Sequence, residues 1–306
     1  MIKEEYDYQD IRDYLFNNID LIIAGVPTNE ERAAFMLSSW KEKEKAHLQI
    51  SLEGINEVNI FYFNASLKEY ESFNKIDITI GLPNILKRLS IAQKNILLDL
   101  SSLDHVLIMV LIKQMIKRIT PKSLFATYIR PKRYLPLHKA EGLLLSDTIR
   151  GVKAVPGFVK RENDDQVLCS FVGFEGNRFK AVLESVNNVN KIIPIFAFPS
   201  GALQWFKTTM WNSMNILESE TREFTIRKCL SESIFDAVEI LKELLTQTNN
   251  IVLAPLGTRP HSAASAIFAT KHHNTRIIYD YAIERPERTE GISYICVYHL
   301  SAFIET

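Results

Sequence analysis

The chain of 306 residues is long enough for one large or two smaller α/β domains. Its 46% apolar and 24% charged residues are those of an ordinary globular protein and exclude low-complexity disorder. The 36 basic and 36 acidic side chains cancel, which argues against a dedicated nucleic-acid partner but leaves local patches open. The three cysteines, Cys169, Cys229 and Cys296, lie far apart without a CxxC pair, so buried reduced thiols in a cytoplasmic protein are expected rather than a disulfide framework.

The N-terminus lacks the apolar core of a signal peptide. The longest apolar run, Val106 to Ile112, falls far short of the roughly 20 residues a membrane span needs and reads as the buried face of a core helix. Residues 20–26 (DLIIAGV) read as a buried strand and 30–40 as the helix after it, with Thr28 and Glu31 spaced as a capping box. A strand over 58–63, a short helix over 85–93, a strand over 95–100 and an apolar helix over 104–119 follow. Pro121 stops that helix, and 123–129 resumes as a strand. Residues 135–165 are rich in proline and glycine and end in a polar run, which places a boundary near 150 between a half of residues 1–150 and a half of residues 151–306. The rhythm then restarts, with strands over 167–172, 192–198, 251–256, 276–281 and 292–299 and helices over 177–186, 203–217 and 233–246. Such alternation predicts an α/β protein of two Rossmann-like halves, each a mostly parallel sheet with flanking helices.

The halves read alike. Ile22-Ile-Ala-Gly25, a polar loop and Arg32 parallel Ser170-Phe-Val-Gly173, a polar loop and Arg178. The segment from Asn95 to His105 parallels that from Asn250 to His261, and each is followed by an apolar helix and a strand bearing a tyrosine, Tyr128 or Tyr279. The expectation is a duplication.

Four places carry candidate chemistry. At Gly257-Thr258-Arg259 a strand turns into a helix. The glycine allows close backbone approach, the threonine hydroxyl bonds or caps, and the guanidinium grips a phosphate at a positive helix end, with His261 as a further donor. The small residues 262–266 that follow suit close packing of this helix or contact with a second copy in a homodimer. The loop Gly173 to Arg178 falls at the expected carboxyl edge of the same sheet. There Glu175 suits a ribose hydroxyl and Asn177 a base or sugar, with Arg178 completing the pocket, although an N-cap at Asn177 with an exposed Glu175 fits as well. In the segment 198–212, Trp205 suits base stacking, and at least one of Trp205 and Trp211 reads as core. Between His105 and Ala140 eight Lys and Arg occur without an acid, of which 113–122 read as a solvated helix face. Histidine spacing gives no metal site, and no P-loop or nucleophile elbow occurs, so neither cofactor nor metal is expected.

The run Leu253-Ala-Pro-Leu-Gly257-Thr258-Arg259 before a small-residue helix resembles the CRISPR-associated Rossmann-fold (CARF) sensor domains. Those carry a strand ending in a Gly-Thr-Lys/Arg turn that contacts an oligoadenylate, and a second ligand loop after the first strand, where Gly173 to Arg178 stands here. The resemblance covers about the second half. It departs from the family in placing that half last and in showing no nuclease signature in the first half. It implies a nucleotide- or oligonucleotide-binding sensor or regulatory protein of a prokaryotic defence system, whose partner is a phosphate-bearing nucleotide. Arg32 would be the equivalent group in the first half. Two other readings stay open: an enzyme cleaving a glycosidic bond of a nucleoside or dinucleotide, with a carboxylate such as Glu175, Glu31 or Asp99, and an interaction protein without a ligand.

Overall fold

The computed structural model describes all residues except 1–3, 6–7, 27–29, 136–145, 161–164, 201–202, 247, 249, 286 and 304–306. Along the described chain run β1 (Glu4–Glu5), α1 (Tyr8–Asn18), β2 (Leu21–Gly25), α2 (Glu31–Glu42), β3 (His47–Glu53), β4 (Glu57–Asn64), β5 (Glu69–Asp77), α3 (Gly81–Arg88), β6 (Asn95–Asp99), α4 (His105–Lys117) and β7 (Ser123–Tyr134). They continue as β8 (Ser146–Ile149), β9 (Lys153–Ala154), β10 (Gln166–Val172), α5 (Gly176–Ser185), β11 (Val189–Ala197), α6 (Leu203–Glu218), β12 (Glu223–Phe224), β13 (Arg227–Cys229), α7 (Ile234–Leu244), β14 (Ile251–Pro255), α8 (Arg259–Lys271), β15 (Arg276–Tyr279), β16 (Ala282–Glu284) and β17 (Thr289–His299).

Two units form. The first comprises Met1–Leu135 with Pro286–Thr306, and the second Pro136–Arg285. The junction therefore lies before the expected boundary near 150, and the end of the chain does not belong to the second unit. The reason is strand pairing. The 11 residues of β17 pair antiparallel with β7, Cys296 opposite Tyr128 and Tyr298 opposite Ala126, and so cover a long strand edge of the first unit.

The first unit's sheet has the order β1-β17-β7-β6-β2-β3-β4-β5. Its centre, β7-β6-β2-β3, is parallel, while β1, β17, β4 and β5 add antiparallel strands at the two sides. Strands β3 and β5 lie in stretches that periodicity left unassigned. Glu69–Asp77 is exposed at most positions and carries Glu69, Glu71 and Asp77, as an edge strand that resists further pairing does. On one side of the sheet Leu15, Ile22, Met36, Trp40, Leu97, Ile129 and Ile295 share a core. The run Val106 to Ile112 is buried throughout, as its apolar character requires. The helix α2 begins after Glu30, without a side-chain cap, and not at a capping box; Thr28 lies outside the described residues.

In the second unit the order is β12-β11-β10-β14-β15-β9, parallel except where β9 joins β15. From β10 the chain moves outward through β11, then returns to β14 on the other side of β10. That reversal is the Rossmann-type switch point, and the carboxyl ends of β10 and β14 are where open α/β sheets have their ligand crevice. The first unit has the equivalent reversal between β2 and β6, with β3 on the far side of β2.

A glycine stands at each reversal. A Cβ on Gly25 would run into the Ser102 carbonyl, and one on Gly173 into that of Leu256. Both obstacles are backbone, which cannot swing aside, so Gly173→Ala should destabilise the fold by at least about 2 kcal/mol. Urea denaturation measures this. A midpoint unchanged from wild type would show that the loop after β14 can yield.

Candidate functional site

The crevice of the second unit brings together the two loops singled out in the sequence. Gly173 follows β10 and Gly257 follows β14; a Cβ on the former would also lie 3.9 Å from the Cα of the latter. Helices α5 and α8 start from these loops, and neither has an acid in its first turn. The positive end of α8 has no carboxylate at its N-cap or in its first turn, whereas α5 has the buried carboxylate Glu175 as its N-cap residue.

The turn at Gly257 is held from within. Its missing Cβ leaves room for the His261 ring, whose Nδ1 would otherwise be 2.6 Å from that carbon. His261 stands at the third helical position of a capping box. Its Nδ1 accepts from the Thr258 backbone N–H at 3.3 Å, which fixes the proton on Nε2, facing the Leu230 carbonyl at 3.2 Å. The ring stacks on Phe171 with centroids 4.5 Å apart. The Thr258 hydroxyl donates to the Ser231 carbonyl at 2.6 Å. His261 is therefore a buried structural cap, not a ligand donor facing the crevice. Arg259, the first residue of α8, is 7% exposed. The small residues after it are buried with the rest of the helix, every residue from Arg259 to Thr270 being buried, and small side chains let neighbouring elements approach it closely.

Glu175 and Arg178 belong to a closed network. Arg178 Nε and Nη2 donate to the two oxygens of Asp280 at 2.6 and 2.8 Å, Nη2 also reaches the Tyr279 hydroxyl at 3.1 Å, and Nη1 lies 3.6 Å from Glu175 Oε2. Glu175 accepts from the Ser146 N–H at 2.9 Å and the Ser146 hydroxyl at 2.8 Å. Burial alone would push Arg178 toward losing its proton, but Tyr279, Asp280 and Glu175 outweigh it and hold the guanidinium firmly charged. The Arg178 fork, expected to complete a ligand pocket, is thus taken by Asp280. Asn177 is exposed, and its side-chain oxygen accepts from the Arg178 N–H at 2.9 Å. Asp280 reads from the sequence only as an isolated acid after a strand. A basic residue at a helix start paired in register with an acid at a neighbouring strand end was the signal available. Ser146 gave none.

The aromatic segment departs from expectation. Neither Trp205 nor Trp211 is buried, and Trp211 is 77% exposed. The buried positions of α6 are Thr209, Ser213 and Leu217. Phe198 meets Phe206 edge to face, with Lys228 Nζ 4.9 Å over the Phe198 ring. Cys169 and Cys229 are buried free thiols; burial pushes Cys169 up to about 12 and Cys229 further, so both stay protonated. Cys229 Sγ is 3.7 Å from His261 Nε2, but a thiol held neutral beside a neutral imidazole is not an activated nucleophile. In the basic stretch, Lys117 and Arg118 are exposed as a solvated helix end, and Arg133 donates to Glu290 at 2.6 Å. Lys139 lies outside the described residues.

In the first unit Arg32 is also turned inward. It is 2% exposed, and its Nε donates to Glu30 Oε2 and to the Thr289 hydroxyl, each at 3.1 Å. Arg288 Nε donates to the other oxygen of Glu30 at 3.0 Å. Among the described residues no group of three or more His, Cys, Asp or Glu side chains suits a metal ion, and no helix is long and apolar enough to cross a membrane.

Fold and crevice define an α/β protein of Rossmann-like build, with helices flanking largely parallel sheets. No family model matches the chain, and no curated protein does. Among solved structures, part of the chain is similar to Can2 from Sulfobacillus thermosulfidooxidans, determined in complex with cyclic tetra-adenylate. The identity is 19% and the TM-score 0.29; the match covers 38% of this chain and 31% of that one, a likeness too low to carry an argument.

The His261 cap has a consequence for stability. Burial, only partly offset by the Leu230 carbonyl and Asp236, lowers this imidazole from its ordinary 6.5 to about 4. Between those values the unfolded chain binds the proton and the folded chain does not, so the stability is complete above pH 6.5 and drains away as pH falls toward 4. The loss reaches about 3 kcal/mol at most. His261→Gln, which can still close the capping box, should flatten this part of the profile. If wild type and variant lost stability in parallel from pH 7 to pH 4, the neutral buried ring would be ruled out.

Proposed function

We propose that the protein binds a phosphate-bearing nucleotide at the switch-point crevice of the second unit and acts as a sensor or regulatory component. The observation that carries this reading is the meeting, at one sheet edge, of the loops after β10 and β14, with α8 opened by Arg259 and free of acids at its N-terminus. Anions are favoured at such ends, and ligands of open α/β sheets are favoured at such reversals. The turn Gly257-Thr258-Arg259 also resembles that of the oligoadenylate-binding CARF domains, which suggests an oligoadenylate as first candidate and prokaryotic defence as the setting. Gly173 and Gly257 keep the backbone low, Arg259 supplies the charge, and Asn177 is the exposed polar group of the neighbouring loop. Glu175 and Arg178 support the loop from beneath rather than facing a ligand.

The enzyme reading draws no support from the crevice carboxylates. Both oxygens of Glu175 accept from Ser146, and Asp280 is spent on Arg178, so neither is placed to exchange a proton with a substrate.

Calorimetric titration with AMP, ATP and linear and cyclic oligoadenylates, followed by chromatography of the recovered ligand, tests the proposal. At least one should bind and be recovered intact. Arg259→Ala should weaken it about 10- to 100-fold, the value of one charge-assisted contact, and Arg259→Lys by less. Unchanged affinity in Arg259→Ala would remove the site from this crevice, and a consumed ligand would turn the sensor into an enzyme.

A further inference from the structure

We propose that the first unit holds a second, separate anion site, in which the outer edge of the Arg32 guanidinium and the Thr289 hydroxyl receive a phosphoryl group at the N-terminus of α2. The proposal concerns a different unit from the crevice of Arg259 and does not rest on it.

The decisive observation is an unsatisfied group. Arg32 is 2% exposed, its Nε serves Glu30 and Thr289, and its Nη1 is buried without a hydrogen-bond partner among the described residues. Native proteins rarely leave a buried polar group unpaired, least of all on a charged side chain, because its hydration is lost with no return. Arg178 is the internal comparison. It occupies the corresponding place at the start of α5 in the second unit, and its Nε and Nη2 meet both oxygens of Asp280. Among the described residues Arg32 has no such bidentate acid, since Glu30 gives one oxygen to Arg32 and the other to Arg288.

The surroundings suit an anion from outside. The helix α2 spans 12 residues and has no side-chain cap, so the end at which Arg32 stands keeps the positive pole of the helix dipole. It starts beyond the carboxyl end of β2, beside the β2/β6 reversal. Thr289 Oγ1 accepts from Arg32 Nε and keeps its own proton to donate. A guanidinium, a hydroxyl and a helix end together offer several donors, which suit a phosphoryl group with its three or more acceptor oxygens better than a carboxylate with two. Glu31, the acid of the first turn, is exposed and directed to solvent.

The test uses the full chain carrying Arg259→Ala, so that the second unit's arginine contributes nothing. Thermal unfolding is followed in inorganic phosphate, sulfate, acetate and chloride at equal ionic strength. Phosphate should raise the midpoint by about 3 °C or more at saturation, sulfate by less, and acetate no more than chloride. Adding Arg32→Gln should abolish the phosphate response. Thr289→Val, which keeps the side-chain shape, should weaken it about fivefold and keeps the test decisive where Arg32→Gln does not fold. An equal response to all four anions, or a phosphate response that survives Thr289→Val unchanged, overturns the proposal. Failure of the Arg259 site would instead appear as nucleotide affinity insensitive to Arg259, with the phosphate response of Arg32 left as it was.

Discussion

In each unit the backbone after the first core strand touches the backbone after the strand that returns beside it, and only the lack of a Cβ allows the contact. Gly25 meets Ser102, which also bonds its N–H through Oγ at 2.9 Å, and Gly173 meets Leu256. The contact sets the spacing at each switch point. It fixes where α2, α5 and α8 begin, and hence where their positive ends and their opening arginines lie. A larger residue would push the loops apart and leave the strand ends of the crevice without a floor.

The arginines at those helix starts are governed by a second constraint, the cost of burying charge. A guanidinium 8% exposed, as Arg178 is, survives only because Asp280 supplies a bidentate acid and Tyr279 and Glu175 close the remaining sides. The carboxylates are equally committed, since Glu175 is anchored by Ser146. The same economy explains His261, kept neutral as a cap under Phe171 rather than offered as a donor. Glu175, Arg178, Thr258 and His261, which hold the loops, are engaged within the protein. In the first unit the balance is incomplete at Arg32, where a buried nitrogen lacks a partner among the described residues.

The rhythm of strands and helices was legible because burial imposes its own period on the local sequence. Apolar runs such as 21–25, 106–112 and 251–255 are buried along their whole length, and the alternation of the two implied largely parallel sheets. Strands β3 and β5 were not legible, since a half-covered hairpin strand and a charged edge strand lack a continuous apolar face. The aromatic character of α6 suggested core for Trp205 or Trp211, whereas its buried stripe is Thr209, Ser213 and Leu217; composition does not say which stripe of a helix turns inward.

The sequence by itself determined the Rossmann-like grammar, the glycines at the strand ends and the placing of the loops at Gly173 and Gly257 on one sheet edge, because each follows from local periodicity and from parallel connections that return to the same edge. Only the tertiary structure decided that Arg178 answers to Asp280, that Thr258 and His261 lock the turn, and that β17 completes the first unit's sheet instead of the second's. Those outcomes depend on which distant groups come within hydrogen-bonding distance once water is removed, and long-range strand pairing, not neighbouring residues, sets that.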